Sequence, residues 1–394
     1  VPEISESVLT ELYFQNLGLA AVAVLGAFAG SALAADVTLY GVVDTGFAYN
    51  HVDGDGAGDL DKFEMKSGQQ SGSRFGLKGS EDLGNGLTVG FILENQFDSD
   101  TGALKDTFFQ RESSLYLQGA FGKVAMGRMG SINQGVSSWG KIGMLSAFGT
   151  SWGYSAQAGT IFSCAGMWNN MIAYETPSFA GFKVFAQYAM GANDNENEST
   201  SDRYDAIGAT YNNGPVAAYL AVDSVNYKSA TVTATGTTVE DVDDSLTVTL
   251  GGSYDFEVAK VYFGAQYFDE VKLSSLGGIA KDYDATWGIT RTDKDPNFDF
   301  TKVKGYGIGL SAGIPTLGGT TMVGIGYVDA ESTDNAVEDV DVNRYVVSAG
   351  YTYPFSKRTN VYGVVAWSQD KIEDSEDEFK PSATQVMFGL RHQF

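Results

Sequence analysis

The chain runs to 394 residues with a formal charge of −24, which argues against a nucleic-acid partner, whose phosphates need a basic face. One cysteine (Cys164) and two histidines far apart in sequence (His51 and His392) leave neither a disulfide framework nor the ligand set of a zinc or redox-metal site. Glycine is abundant at 49, proline scarce at 7, and 21 tyrosines join 24 phenylalanines, a mix suited to turns and aromatic-rich strands. The mean hydropathy is slightly negative, too low for apolar membrane helices but compatible with a transmembrane barrel, which needs only one apolar face per strand.

In chain order, a targeting segment comes first. Leu17 to Ala29 is uncharged and rich in Ala, Val and Leu, and Ala32-Leu33-Ala34 supplies small residues for a signal peptidase, with cleavage expected after Ala34. Before it, residues 1–16 carry Glu3, Glu6 and Glu11 and no basic residue, unlike the start of a signal; Glu11-Leu12-Tyr13-Phe14-Gln15 partly resembles a tag-protease site. Residues 1–34 are therefore read as a signal peptide with a non-native-looking extension, and 35–394 as a single barrel domain.

From residue 37 onward, apolar residues alternate with polar or small ones in runs of about ten residues, the length a tilted strand needs to cross a bilayer. Leu87, Val89, Phe91 and Leu93 share one face while Thr88, Gly90 and Glu94 share the other; Val386, Phe388, Leu390 and Phe394 repeat the pattern at the end. Strands are expected near 37–50, 72–83, 86–98, 108–120, 122–130, 170–177, 181–190, 203–213, 215–226, 244–255, 258–270, 302–313, 319–329, 342–353, 359–369 and 383–394. This is an even number, as closed single-chain outer-membrane barrels require. Tight turns such as Gly84-Asn85-Gly86 and Asn212-Asn213-Gly214 alternate with long polar loops at 51–71, 131–169, 191–202, 227–243, 271–301, 330–341 and 370–382. Phe121, Phe179, Phe182, Phe256, Tyr353, Phe355 and Phe394 collect at the short-turn side and read as an interfacial girdle. The expected fold is all-β: a transmembrane antiparallel barrel of about sixteen strands with short periplasmic turns and long outer loops.

Several blocks resemble the trimeric porin family of neisserial, Comamonas and Burkholderia type. They are Val37-Thr38-Leu39-Tyr40-Gly41-Val42-Val43-Asp44, Gly72-Ser73-Arg74-Phe75-Gly76-Leu77-Lys78-Gly79-Ser80-Glu81-Asp82-Leu83-Gly84, Phe121-Gly122-Lys123-Val124 with Gly127-Arg128, Asn169-Asn170 leading to Pro177-Ser178-Phe179-Ala180-Gly181-Phe182, and the terminal Gly389-Leu390-Arg391-His392-Gln393-Phe394. The resemblance implies sixteen strands, a homotrimer in the bacterial outer membrane, and a third loop folded into the lumen. It also implies that Phe394, with Leu390 and Phe388, forms the signal read by the barrel-assembly machinery.

If residues 131–169 fold inward, they set the pore width. This stretch contains no Asp or Glu; its one charge is Lys141, amid Trp139, Trp152, Tyr154 and Trp168. Strand parity turns Arg74 and Lys78 inward, with Gly76 between them leaving the cations room, and also turns Tyr40, Asp44 and Glu94 inward. Arg128 matches the family's wall arginine. Arg111 is divided: the resemblance puts it in the pore, whereas parity with Leu115 and Leu117 puts it outside, where a mid-bilayer arginine costs roughly 2–4 kcal/mol. Trp168 stands where relatives often carry arginine. These features suggest passive diffusion of small hydrophilic solutes with weak anion preference at the constriction. The alternatives are a substrate-selective channel stacking solutes on loop aromatics, or a non-conducting adhesin. No nucleophile–base arrangement assembles, so the chain is not expected to be an enzyme. The outer-loop acids (Asp194–Glu198, Glu240–Asp244, Glu331–Asp341, Asp370–Glu378) suit a solvated rim, or Ca2+ or Mg2+ bridging to lipopolysaccharide.

Overall fold

A computed structural model describes residues 37–55, 59–191, 201–233, 236–241, 243–277, 302–333, 340–373 and 378–394. The leader assigned to residues 1–34 lies outside them. The strands are β1 (Thr38–Asp53), β2 (Asp59–Ser67), β3 (Arg74–Gly84), β4 (Leu87–Gln96), β5 (Glu112–Gly119), β6 (Gly122–Gly130), β7 (Met167–Glu175), β8 (Phe182–Ala189), β9 (Arg203–Asn213) and β10 (Val216–Asn226). They continue with β11 (Lys228–Thr233), β12 (Gly236–Asp241), β13 (Ser245–Asp255), β14 (Lys260–Lys272), β15 (Lys302–Thr316), β16 (Gly319–Ser332), β17 (Asp341–Pro354), β18 (Thr359–Glu373), β19 (Glu378–Phe379) and β20 (Ser382–Gln393).

Sixteen of these form a closed antiparallel ring in which each strand pairs with its neighbours in sequence and β20 returns to β1 from Val42↔Gln393 to Asp53↔Ser382. Closure removes the free edges that neither water nor another strand could satisfy in lipid. The ring strands match the sixteen alternating segments. Four short strands lie outside the ring. β2 covers the upper part of β1, β19 caps the end of β18, and β11 and β12 form a separate hairpin. They fall in the expected long loops, where chain leaving the wall pairs with itself to satisfy its backbone.

The alternation becomes a two-faced wall. Leu39, Leu115, Ile207, Ile325, Val347 and Leu390 point outward and are exposed, while Val42, Ala125, Tyr219 and Val364 on the opposite parity are buried inside. All seven aromatics assigned to the short-turn girdle are exposed. At the β3–β4 turn, Asn85 and Gly86 both take positive φ (53° and 76°), the left-handed pair that a two-residue hairpin requires and that Asn-Gly adopts at low cost.

The main departure in strand extent concerns the segment expected at 108–120, which enters the sheet only at Glu112. Phe108 and Phe109 instead join a ring cluster with Phe75 and Phe97, at centroid spacings between 4.5 and 6.3 Å. Aromatic packing there outcompetes extension of the ladder.

The apolar core lies inside the ring, where residues 131–166 pack on the inner wall of β13–β16. That wall is paved with glycine. A Cβ on Gly264 would stand 2.7 Å from Phe162 and 3.0 Å from Leu145, and one on Gly251 2.8 Å from Leu145. One on Gly324 would meet Ala156 at 2.9 Å and Phe148 at 3.0 Å, and one on Gly326 would meet Ile161 at 2.5 Å. The missing side chains form a trench that receives Leu145, Phe148, Ile161 and Phe162, all at 1 % exposure. Gly326→Leu is expected to preserve the closed barrel, checked by a heat-modifiable gel shift, while making residues 146–162 sensitive to limited proteolysis; native-like protection in a folded variant would contradict the trench.

Candidate functional site: the lumen constriction

The connection between β6 and β7 is the longest stretch between ring strands that is described throughout. It holds a 3-10 turn at Ile142–Leu145 and one helical turn, α1 (Ala158–Ile161). Wall side chains fix it by hydrogen bonds to side chain and backbone. Asn133 Nδ2 donates to Asp223 Oδ1 at 2.7 Å, and the Tyr219 hydroxyl donates to Asn133 Oδ1 at 2.7 Å. Backbone N–H groups of Ser138, Ala147, Tyr154, Ala156 and Ser163 donate to Glu112, Ser311, Gln385, Ser348 and Gln266 at 2.6–3.0 Å. These partners come from β5, β15, β20, β17 and β14, so the loop crosses the lumen and is secured on several sides.

Beside it remains a cavity of about 500 Å3. The loop contributes Gly135, Val136 and Ala147–Trp152; the wall contributes Arg74, Arg111 and Arg391 together with Gln70, Thr320 and Thr352. Among the described lining residues there is no carboxylate. Glu94 stands behind: Arg111 Nε donates to its Oε1 at 2.6 Å, Arg74 Nε lies 3.5 Å from its Oε2, and the Tyr40 hydroxyl bonds to it as well. Arg111 Nη1 also donates to Gln96 at 2.8 Å, and Arg74 Nη1 to Ser71 Oγ at 2.8 Å and the Gly72 carbonyl at 3.0 Å. Both guanidiniums are held rigidly at the cavity wall.

The structure thus brings together Arg74, Arg111, Glu94 and Tyr40. Parity pointed Arg111 outward, but regular β5 pairing starts one residue later, at Glu112; Arg111 donates its N–H to the Glu94 carbonyl and turns its side chain inward. Other expected positions lie elsewhere. Lys78 is four residues along β3 toward the short turns, about 13 Å from Arg74 by strand rise, with its ammonium 5.2 Å from the Tyr40 ring centre. Gly76 does not make room for cations, because Tyr40 occupies that space, 2.7 Å from where a Cβ would stand. Asp44 is fully buried, its Oδ2 accepting from the Gln70 and Ser71 N–H groups at 2.8 and 2.7 Å and its Oδ1 from the Tyr362 hydroxyl at 2.5 Å. It shapes the segment that carries Arg74.

Arg128 does not line the cavity. The β6–β7 register shifts between Gly127 and Met129, and Arg128 shares the outward parity of exposed Met126; its guanidinium goes to the Gln110 carbonyl at 2.8 Å and to Asn169. Lys141 donates to the Ser138 carbonyl at 3.0 Å, its ammonium 5.1 Å from the Phe185 ring centre, away from the cavity.

The aromatics Trp139, Trp152, Tyr154 and Trp168 are 2–7 % exposed and pack rather than present open faces. Trp152 meets Tyr362 edge-on at 5.0 Å, and only this one of the four borders the cavity. Trp168 belongs to β7, not the loop, and stacks on Tyr204 at 5.3 Å, so it does not narrow the passage. The constriction is not devoid of acids either: Glu112 reaches from the wall to Ser138, and Glu94 backs the arginines.

Arg391 was missed, although it alternates with Leu390 on the lumen parity; among the described residues its Nε has no hydrogen-bond partner. Of the outer-loop acids, residues 194–198 lie wholly outside the described residues and the other runs in part. Asp370, counted among them, is instead buried inside against Arg344. Among the described residues no group of three or more His, Cys, Asp or Glu is placed to hold a metal ion.

A closed sixteen-strand antiparallel barrel with a loop packed inside it is the architecture of a porin. Residues 20–373 match the Gram-negative porin family, and the chain belongs to that family. It is 35 % identical to an outer membrane porin protein of Bordetella pertussis, with 95 % of this chain and 99 % of that one aligned. It is 31 % identical to outer membrane porin protein 32 of Delftia acidovorans over the same shares. The solved anion-selective porin from Comamonas acidovorans superposes with a TM-score of 0.64 at 27 % identity, covering 92 % of this chain and all of that one. The protein is an outer-membrane porin, a non-enzymatic channel of the Gram-negative envelope.

Glu94→Gln should remove the charge that offsets Arg74 and Arg111 and move the reversal potential in a salt gradient toward the anion limit; an unchanged value would place Glu94 outside the ion path.

Proposed function

We propose that this porin passes small hydrophilic solutes and ions by passive diffusion and favours anions weakly at its constriction. The observation that carries the reading is the cavity lined by Arg74, Arg111 and Arg391 without a lining carboxylate, facing a loop surface of backbone and uncharged side chains. Glu94 offsets part of that charge, which keeps the preference modest. The acidic outer loops count for less, because screening in physiological salt acts over about 8 Å. The description of the Comamonas relative as anion-selective points the same way. Stacking of solutes on loop aromatics loses support from the burial of those rings, and a non-conducting adhesin from the open cavity beside the loop.

The functional unit we propose is a homotrimer in contact with lipopolysaccharide. Phe394 would present the assembly signal. Its N–H and carbonyl pair with Gly41 at 3.1 Å each, completing the ring, while Phe388, Leu390 and Phe394 leave an exposed apolar row for a receptor to read.

In planar bilayers under a salt gradient, the native channel should insert in units of three equal steps with an anion-leaning reversal potential. Arg74→Gln, Arg111→Gln and Arg391→Gln, singly and combined, should move it progressively toward cations. Native cation preference would overturn the selectivity, and absence of conductance from folded protein would overturn the channel.

A further inference from the structure

We propose that Arg344 is the positioning residue of the constriction, clamping the return limb of the inward loop to the lumen wall so that the passage keeps a fixed width. The proposal rests on the diffusion-channel reading for one of its two readouts. Arg344 on β17 stands opposite Asp370 on β18 in the ladder, and the two form a forked ion pair, Nε to Oδ1 at 2.6 Å and Nη2 to Oδ2 at 2.9 Å. Both are buried, at 1 % and 0 % exposure, on a wall whose neighbouring inward side chains are Val342, Val346, Ser348, Ser368 and Ile372. A buried ion pair is poor evidence of stabilisation, since apolar residues of the same volume commonly serve as well. What sets this pair apart is the third contact: Arg344 Nη1 donates to the Thr160 carbonyl at 3.0 Å, at the end of α1.

That contact differs in kind from the other fastenings of the loop's second half. Tyr154, Ala156 and Ser163 are held through neutral amide or hydroxyl partners. A charged donor makes a shorter and stronger bond, and Asp370 fixes the fork so that little freedom is lost in forming it. From Thr160 the path to the passage is short. Its hydroxyl donates to the Gly153 carbonyl at 3.4 Å, and Gly153 follows Trp152, which borders the cavity. Arg344 itself does not line that cavity, so it acts on width without contributing charge to the ion path.

Two variants separate the clamp from a general structural role: Arg344→Gln, and the volume-conserving pair Arg344→Met with Asp370→Leu, which removes the buried charges together and retains a foldable wall if the single variant misfolds. Each is purified as the full chain and checked for the heat-modifiable gel shift of a closed barrel. Two readouts follow: limited proteolysis of residues 146–162, and open-channel noise with the size cutoff for neutral polyethylene glycols. The expected result is faster loop cleavage, noise raised several-fold and a larger cutoff, with the reversal potential unchanged. Folded variants with native cleavage, noise and cutoff would overturn the clamp, as would a shifted reversal potential at native cutoff. If the native protein does not conduct, the channel reading fails on its own, and loop cleavage still decides the clamp.

Discussion

The structure depends on holding a loop of mainly apolar and neutral side chains inside a barrel otherwise open to water. A surface loop could leave its backbone to solvent; one that crosses a lumen must bury its apolar side chains against something and find partners for its N–H groups. The wall solves the first problem by omission. Glycines on β13–β16 remove the side chains that would fill the space, so that Leu145, Phe148, Ile161 and Phe162 settle against bare backbone at van der Waals distance. Serine, glutamine and glutamate side chains aimed inward solve the second. The contacts are non-local, joining residues near 150 to strands that follow by 103 to 231 positions, so the loop can reach its seat only once the ring has closed.

The same arrangement divides the lumen. On one side the loop packs against β13–β17; on the other stand Arg74, Arg111 and Arg391, the first two held in place by Glu94, Gln96 and Ser71. On the proposed reading, a charged wall facing a nearly neutral loop imposes a one-sided field on the passage, where confinement makes each charge count more than the acids at the outer rim. The tyrosines serve as packing between these parts. Tyr40 covers Gly76 beneath the arginines, and Tyr362 covers Gly389 while joining Asp44 to Trp152.

Much of this was legible in the sequence, because the membrane permits few solutions. Period-two alternation identified every ring strand and correctly oriented Arg74, Glu94 and Tyr40. It failed where the ladder is irregular, at Arg111, which lies just outside β5; Arg128 was assigned to the pore wall by the family resemblance, whereas its own parity, shared with Met126, points outward. The loop was identified by length, but the burial of its aromatics depends on wall glycines remote in sequence, whose abundance carries no address. Arg344 and Asp370 look in sequence like a strand cation and a rim acid; only the ladder register between β17 and β18 makes them a pair.

The account turns on whether the loop rests in the glycine trench in the working protein. A disulfide between Ala156→Cys and Ser348→Cys, with Cys164 replaced by serine, tests this most directly, since the Ala156 N–H donates to the Ser348 hydroxyl at 2.9 Å and the two positions stand side by side where the loop meets the wall. Oxidation should cross-link the folded barrel in high yield and leave single-channel conductance at the value of the reduced protein. A folded barrel that does not cross-link, or a cross-link that changes the conductance substantially, would mean that the loop works from another position and that the constriction described here is not the functional one.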